Sequence, residues 1–195
     1  MSEAERDEWD RRYAAGDYRP RAWPSPFLEG WLERIPASGR ALDVACGAGR
    51  NALLLAEAGF DVDGVDISAV AVEQARAEAQ RRGLEVSWHV ADLDDLEVAE
   101  GRYRLITVIR YRNRSLWPRL VVALAPDGWL LAEHHFRTSA AVDGPSDTFR
   151  LEPGELLEAF GGLRVLLYEE AIETDRDGST FALQRIVACS GDAGV

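Results

Sequence analysis

The sequence predicts an α/β fold: a doubly wound, mostly parallel sheet with helices on both faces. Three observations carry that expectation. Apolar strand-like runs alternate with helical runs along most of the chain. The first strand breaks into a glycine turn, Cys46-Gly47-Ala48-Gly49-Arg50, and acids stand at the ends of the next two strands, Asp66 and Asp92. Strands separated by helices pair in parallel and are covered on both sides.

Taken in order, residues 3–14 read as a short amphipathic helix, with Trp9 and Tyr13 one turn apart. The Pro- and aromatic-rich run GDYRPRAWPSPF reads as a pinned loop, and a helix over 26–35 leads into the first strand at 40–45. Helix 50–58, strand 60–65, helix 68–82 and strand 85–90 follow. Next come a helix or loop over 93–100, strand 103–109, helix 115–124, strand 128–136, a loop to 151 and helix 153–160. Strands over 163–173 and 180–189 close the chain, joined by the turn-rich TDRDGS. With no helix between them, they form an antiparallel hairpin at one edge of the sheet.

Composition narrows the function. A formal charge of −12 speaks against a dedicated nucleic-acid binder, because affinity for phosphates comes from clustered cations. All 22 basic residues are arginine. Without lysine, a Schiff-base enzyme or a Walker-type phosphate loop is excluded. Cys46 and Cys189 are the only cysteines, so neither a disulfide framework nor a Cys-based zinc site is expected. The opening MSEAERDEWDRRY is too charged for a signal peptide, and no apolar run approaches the roughly 20 residues of a membrane span. A cytoplasmic enzyme of about 195 residues, with no membrane or nucleic-acid partner, is the expectation.

In an open α/β sheet, ligands sit beyond the carboxyl ends of the strands. Gly47 and Gly49 allow a tight bend and a close backbone approach to a ligand. Ala52 stands where a dinucleotide fingerprint has its third glycine, so the turn alone fits a nicotinamide cofactor as well as S-adenosylmethionine. Asp43, inside the first strand, suits a ligand that carries a cation and opposes a pyrophosphate. Asp66 is placed to accept from ribose hydroxyls, and Asp92 to accept from an adenine amino group.

The runs LDVACGAGRNALLLAEAGFDVDGVDIS and ADLDDL resemble the first three motifs of the class I S-adenosylmethionine-dependent methyltransferases. More narrowly, EWDRRYAAGDY and PSPFL, with GRNALLLAEAGFDVDGVDIS, resemble the tellurite-resistance and thiol methyltransferase-like branch. The resemblance implies a seven-stranded sheet in the order 3-2-1-4-5-7-6, in agreement with the terminal hairpin. It implies S-adenosyl-L-methionine as cofactor, and one methyltransferase domain over 1–195, divided into a helical lid segment (1–36) and a Rossmann-like core (37–195). Trp9, Tyr13 and Tyr18 would close over the cofactor. Its contacts would be Cys46, Gly47, Gly49, Asp66, Asp92 and Ile109, with Ile67 and Leu93 on the two faces of the adenine. Asp43 would help the methionine amine indirectly, and Arg50 would take the carboxylate. Cys46 itself reads as a structural thiol.

Methyl transfer from a sulfonium is an in-line displacement, so the protein must chiefly hold nucleophile and methyl aligned, and a base is needed only for a protonated nucleophile. In VIRYRNRSLW, after the fourth strand, Arg110, Arg112 and Arg114 alternate as an anion-binding rim or as a solvated one. The Asn/Asp-Pro-Pro-Tyr/Phe motif of nucleic-acid amino-methyltransferases is absent. His134 and His135 end the fifth strand and must face opposite sides. The catalytic candidates are therefore His134, His135 and Arg110, with no metal ligands. The loop RTSAAVDGPSDTFRL shapes an acceptor pocket, and its DGPSD departs from the Arg-Pro pair common in the family. The expected function is methylation of a small soft nucleophile, a thiol or a selenium or tellurium oxyanion, by a monomer or homodimer. The alternatives are O- or N-methylation of a small metabolite, and noncatalytic S-adenosylmethionine binding.

Overall fold

The computed structural model describes residues 3–16 and 21–192. Its strands are β1 (Arg40–Val44), β2 (Asp61–Asp66), β3 (Ser87–Val90), β4 (Tyr103–Ile109), β5 (Leu124–His135), β6 (Arg164–Thr174) and β7 (Thr180–Cys189). They form one sheet in the order β3-β2-β1-β4-β5-β7-β6. β1 to β5 pair in parallel, whereas β7 runs antiparallel to both β5 and β6. The edge hairpin and the strand order both follow the expectation.

The helices are α1 (Glu3–Ala15), α2 (Pro26–Leu32), α3 (Arg50–Glu57), α4 (Ala69–Arg82), α5 (Trp117–Ala123) and α6 (Glu155–Phe160), with one 3-10 turn at Asp147–Phe149. The segment read as helix or loop over 93–100 is a loop. Strand alternation sorts the central residues onto two faces. Leu42, Val44, Ile106 and Val108 join Trp117, Leu120 and Phe160 of α5 and α6 in one core. Ala41, Leu105 and Ile109 join Phe27 and Leu28 of α2, and Ala52 and Leu55 of α3, in the other. Asp43 of β1 and Thr107 of β4 are buried polar residues on the second face, close to where β1 passes into the turn before α3.

α1 departs from the amphipathic reading, because none of its residues is fully buried. It is fixed by polar contacts instead. Asp10 Oδ1 accepts from Ser68 Oγ (2.6 Å) and from the Val70 amide (3.1 Å), at the start of α4. Ser68 is also the N-cap of α4, accepting from the Ala71 amide at 3.1 Å. An acid there satisfies helix donors that have no partner within the helix and meets the positive end of its dipole. α1 is thereby held over the carboxyl ends of β1 and β2.

Candidate active site

β1 leaves the sheet at Val44, and the chain turns sharply. Ala45 holds φ 55, Gly47 φ 54 and Gly49 φ 83 before α3 begins at Arg50. Beyond this bend lies a chamber of about 460 Å³. The bend and Asn51 form its floor, and Asp66 and Ile67 of the β2 end, with Leu93, form one wall. Ile109, Arg110 and Tyr111 of the β4 end form the opposite wall, and Trp9 and Tyr13 of α1 form the roof. The site therefore stands where β2 and β4 diverge from β1.

The two glycines serve different ends. A Cβ on Gly47 would come within 2.5 Å of Tyr13 Oη, on the chamber side. A Cβ on Gly49 would strike Trp88 at 2.7 Å and Ala75 at 2.8 Å, inside the protein. The expectation that both glycines clear space for a ligand is therefore corrected for Gly49, whose bare backbone lets α4 and the Trp88 indole of β3 pack beneath the turn.

Asp66 is buried and fixes the loop. Oδ2 accepts from the Gly47 amide at 2.7 Å and Oδ1 from the Ser68 amide at 2.9 Å. Burial raises its pKa, against these amides. Asp43 lies one layer deeper. Thr107 Oγ1 donates to its Oδ1 at 2.8 Å, and its Oδ2 is buried without a hydrogen-bond partner. Burial pushes its pKa up to about 7, although Thr107 and the charge of Arg50 pull it back. Cys46 lines the chamber, but burial and the nearby Asp43 and Asp66 drive its thiol pKa well up. A thiol so held is a poor nucleophile, in keeping with the structural reading.

Of the remaining sequence candidates, Ile67, Leu93, Ile109, Arg50 and Arg110 line the chamber, whereas Asp92 is half-buried outside the lining. Its Oδ1 accepts from the Asp94 amide at 2.9 Å. Arg50 Nη1 donates to the Trp23 carbonyl at 3.0 Å. Tyr18 lies outside the described residues.

The three rim arginines separate. Arg112 donates to the Arg150 carbonyl at 3.3 Å, and Arg114 is engaged by Glu155. Only Arg110 faces the chamber, from a strained φ of 62. Its Nε donates to Glu133 Oε1 at 3.3 Å, and its Nη1 lies 3.5 Å from His135 Nε2. Burial, with the neighbouring Arg21 and Arg50, lowers its pKa against Glu133. Neither histidine reaches the lining. Burial takes the His134 pKa down to about 4 and the His135 pKa to about 2, so both are neutral near pH 7.

Arg21, which the sequence reading passed over, completes the β4 side of the chamber. Its Nε donates to Asp175 Oδ2 at 2.7 Å. A Pro- and aromatic-rich loop gave no signal for this role, because Arg21 and Asp175 lie 154 positions apart.

The fold and the site together define a doubly wound α/β protein whose cleft carries a buried acid, Asp66, at the β2 end and guanidinium groups, Arg21 and Arg110, on the β4 side. Residues 41–128 match the family model described as a methyltransferase domain. An S-adenosyl-L-methionine-dependent Diels-Alderase from Talaromyces variabilis is 41% identical over 44% of this chain and 33% of its own length. A ubiquinone biosynthesis O-methyltransferase from Bordetella avium is 26% identical over 63% of this chain and 53% of its own. The crystal structure of TehB from Haemophilus influenzae superposes with a TM-score of 0.73 at 21% identity, over 93% of this chain and 67% of that one. The chain thus spans a third to about half of the curated relatives it matches.

Residues 41–128 are thus similar to methyltransferase domains, and the Talaromyces relative is by its name dependent on S-adenosyl-L-methionine. The residues present fit that group. Gly47 presents bare backbone to the chamber beside Tyr13 Oη, where a Cβ would not fit, and one carboxylate oxygen of Asp43 is buried without a hydrogen-bond partner.

Proposed function

We propose that the protein methylates a small soft nucleophile, a thiol or a selenium or tellurium oxyanion. When bound, S-adenosyl-L-methionine supplies a methyl group activated by its sulfonium. The chain's own residues bind and orient. Asp66 is assigned to the ribose, Asp92 to the adenine amino group, and Ile67 and Leu93 to the faces of the base. Asp43 favours a cationic amine above it, and Arg50 takes the cofactor carboxylate. Trp9 and Tyr13 roof the chamber and keep water from the reacting atoms.

The observation that carries the acceptor reading is that, among the described residues, the imidazoles behind the cationic wall are too weakly basic to serve. His134 and His135 stand behind the lining with pKa values of about 4 and 2. Imidazoles of such low basicity remove a proton from a phenol or an amine poorly. The Tyr111 phenol, pushed by burial to about 12, stays protonated. A nucleophile that arrives ionised needs no base, and guanidinium groups recognise it well.

A second reading, O-methylation of a small metabolite, draws on the O-methyltransferase name of the Bordetella relative. Turnover assays with thiols, selenite, tellurite, phenols and amines separate the two. Methylation of thiols or chalcogen oxyanions is expected, and methylation confined to phenols or amines would overturn the assignment. Calorimetry with S-adenosylhomocysteine and NADH tests the cofactor, with binding expected only for the first. Tight binding with no turnover on any acceptor would mark a noncatalytic S-adenosylmethionine-binding protein.

A further inference from the structure

Two guanidinium groups from distant parts of the chain meet one carboxylate at the β4 side of the chamber. Asp175 opens the turn between β6 and β7, and its side chain is only 6% exposed. Its Oδ2 lies 2.7 Å from Arg21 Nε and 3.8 Å from Arg110 Nη2. Its Oδ1 accepts from Trp23 Nε1 at 3.3 Å and from the Arg176 amide at 2.7 Å. Both arginines also lie over the Phe181 ring, at 4.8 and 4.6 Å from its centre. Arg21 and Arg110 line the chamber, whereas Asp175 stands behind the lining.

We propose that Arg21 and Arg110 form an anion subsite for the acceptor, occupied in the free chain by the Asp175 carboxylate, which an anionic acceptor displaces. This rests on the methyltransferase reading above. One oxygen facing two guanidinium groups satisfies neither fully, and an incoming oxyanion or carboxylate offers the bidentate geometry they favour. The other acid that Arg110 meets does not compete. Glu133 is 2% exposed, and its second oxygen is held by Arg185 Nε at 2.8 Å. Asp175 has somewhere to go, because Arg176, Asp177 and Gly178 beside it in the turn are exposed. The acids that line the chamber, Asp66 and Glu78, belong to β2 and α4 on the far side of β1. The β4 side therefore selects negative charge.

The test uses the full chain and inorganic sulfate, read by tryptophan fluorescence, since displacement of Asp175 frees the Trp23 indole; Trp23→Phe identifies the signal. Saturable binding is expected, lost in Arg110→Gln. In Asp175→Asn it should tighten by roughly three- to tenfold, the scale of one competing ion pair removed. Unchanged or weaker binding by a folded Asp175→Asn chain would make Asp175 a plain structural clamp and overturn the proposal, as would no sulfate binding by the unaltered chain. The measurement is repeated with S-adenosylhomocysteine bound. Sulfate affinity that persists assigns the subsite to the acceptor; sulfate excluded by the cofactor assigns it to the cofactor's own carboxylate and overturns the proposal. Failure to bind S-adenosylhomocysteine at all would instead sink the methyltransferase reading. Should Asp175→Asn not fold, competition against the unaltered chain decides: mercaptoacetate displaces sulfate and neutral mercaptoethanol does not, and equal displacement by both overturns it.

Discussion

At the residue scale, the bend after β1 shows how backbone conformation and burial divide the work. Ala45 holds φ 55 with a side chain that disfavours it. Ala45→Gly should relieve that strain and offset the extra flexibility of the unfolded chain, for a net gain of up to about 1 kcal/mol. Denaturant titration measures it, and a clear loss of stability would contradict the strain. Asp43 gives a pH signature. Its folded pKa of about 7 lies above the ordinary 3.8, so the folded chain holds a proton that the unfolded chain releases. The stability associated with this proton is complete below about pH 4 and falls as pH rises through about 7. Asp43→Asn should flatten that slope, by an amount on the order of a few kcal/mol between pH 5 and pH 8. Parallel denaturation curves for the two proteins check it; equal slopes would mean that Asp43 titrates normally. Asp66→Ala should weaken S-adenosylhomocysteine binding by roughly 1–3 kcal/mol, the scale of lost hydrogen bonds to a charged acceptor. Calorimetry reads it.

At the element scale, α1 and the β6–β7 turn approach the chamber from opposite sides, and polar contacts rather than apolar burial hold both. α1 carries no fully buried residue and depends on Asp10 at the start of α4. Asp10→Ala should speed amide exchange throughout α1 and cost the N-terminal turn of α4 roughly 0.5–2 kcal/mol, the range for a lost cap. Exchange confined to the ends of α1, as before the change, would show that the helix is held by something else. The β6–β7 turn is tied down by the Arg21–Asp175 pair and by Arg176 with Glu29 at 2.6 Å. Both elements were legible as a helix and a turn, and the resemblance implied a lid at α1, but nothing in the sequence placed the β6–β7 turn behind the chamber arginines. The 93–100 segment, with its DLDDLE acids, lacked the period that fixes a helix, and it folds as a loop.

At the scale of the whole molecule, the glycine bend is locked into the layers around it. The Trp88 indole of β3 crosses Gly64 of β2 and reaches Gly49, so a Cβ on Gly64 would meet it at 2.7 Å. Gly64→Ala should destabilise the fold by about 1–3 kcal/mol through overpacking, and combining it with Trp88→Leu should recover part of the loss. Strictly additive losses in the double variant would show that the two positions do not touch. The same layer relation explains the misreading of Gly49. A glycine at a turn announces a bend in sequence, but whether its bare face meets a ligand or an indole depends on a strand about 40 residues away.

The sequence by itself determined the strand and helix alternation, the terminal hairpin, the glycine bend and the acids at the strand ends, because these are written in local periodicity and turn chemistry. It also placed Arg110, Ile67 and Leu93 at strand ends, where such folds open their clefts. Tertiary structure alone decided which of the three rim arginines faces inward. It set both histidines behind the lining, turned Gly49 toward Trp88, and joined Arg21 to Asp175 across nearly the length of the chain. The physical reason is range. Backbone preference acts over a few residues, whereas burial, charge pairing and the direction of a side chain at a strand end depend on elements that meet only when the sheet has closed.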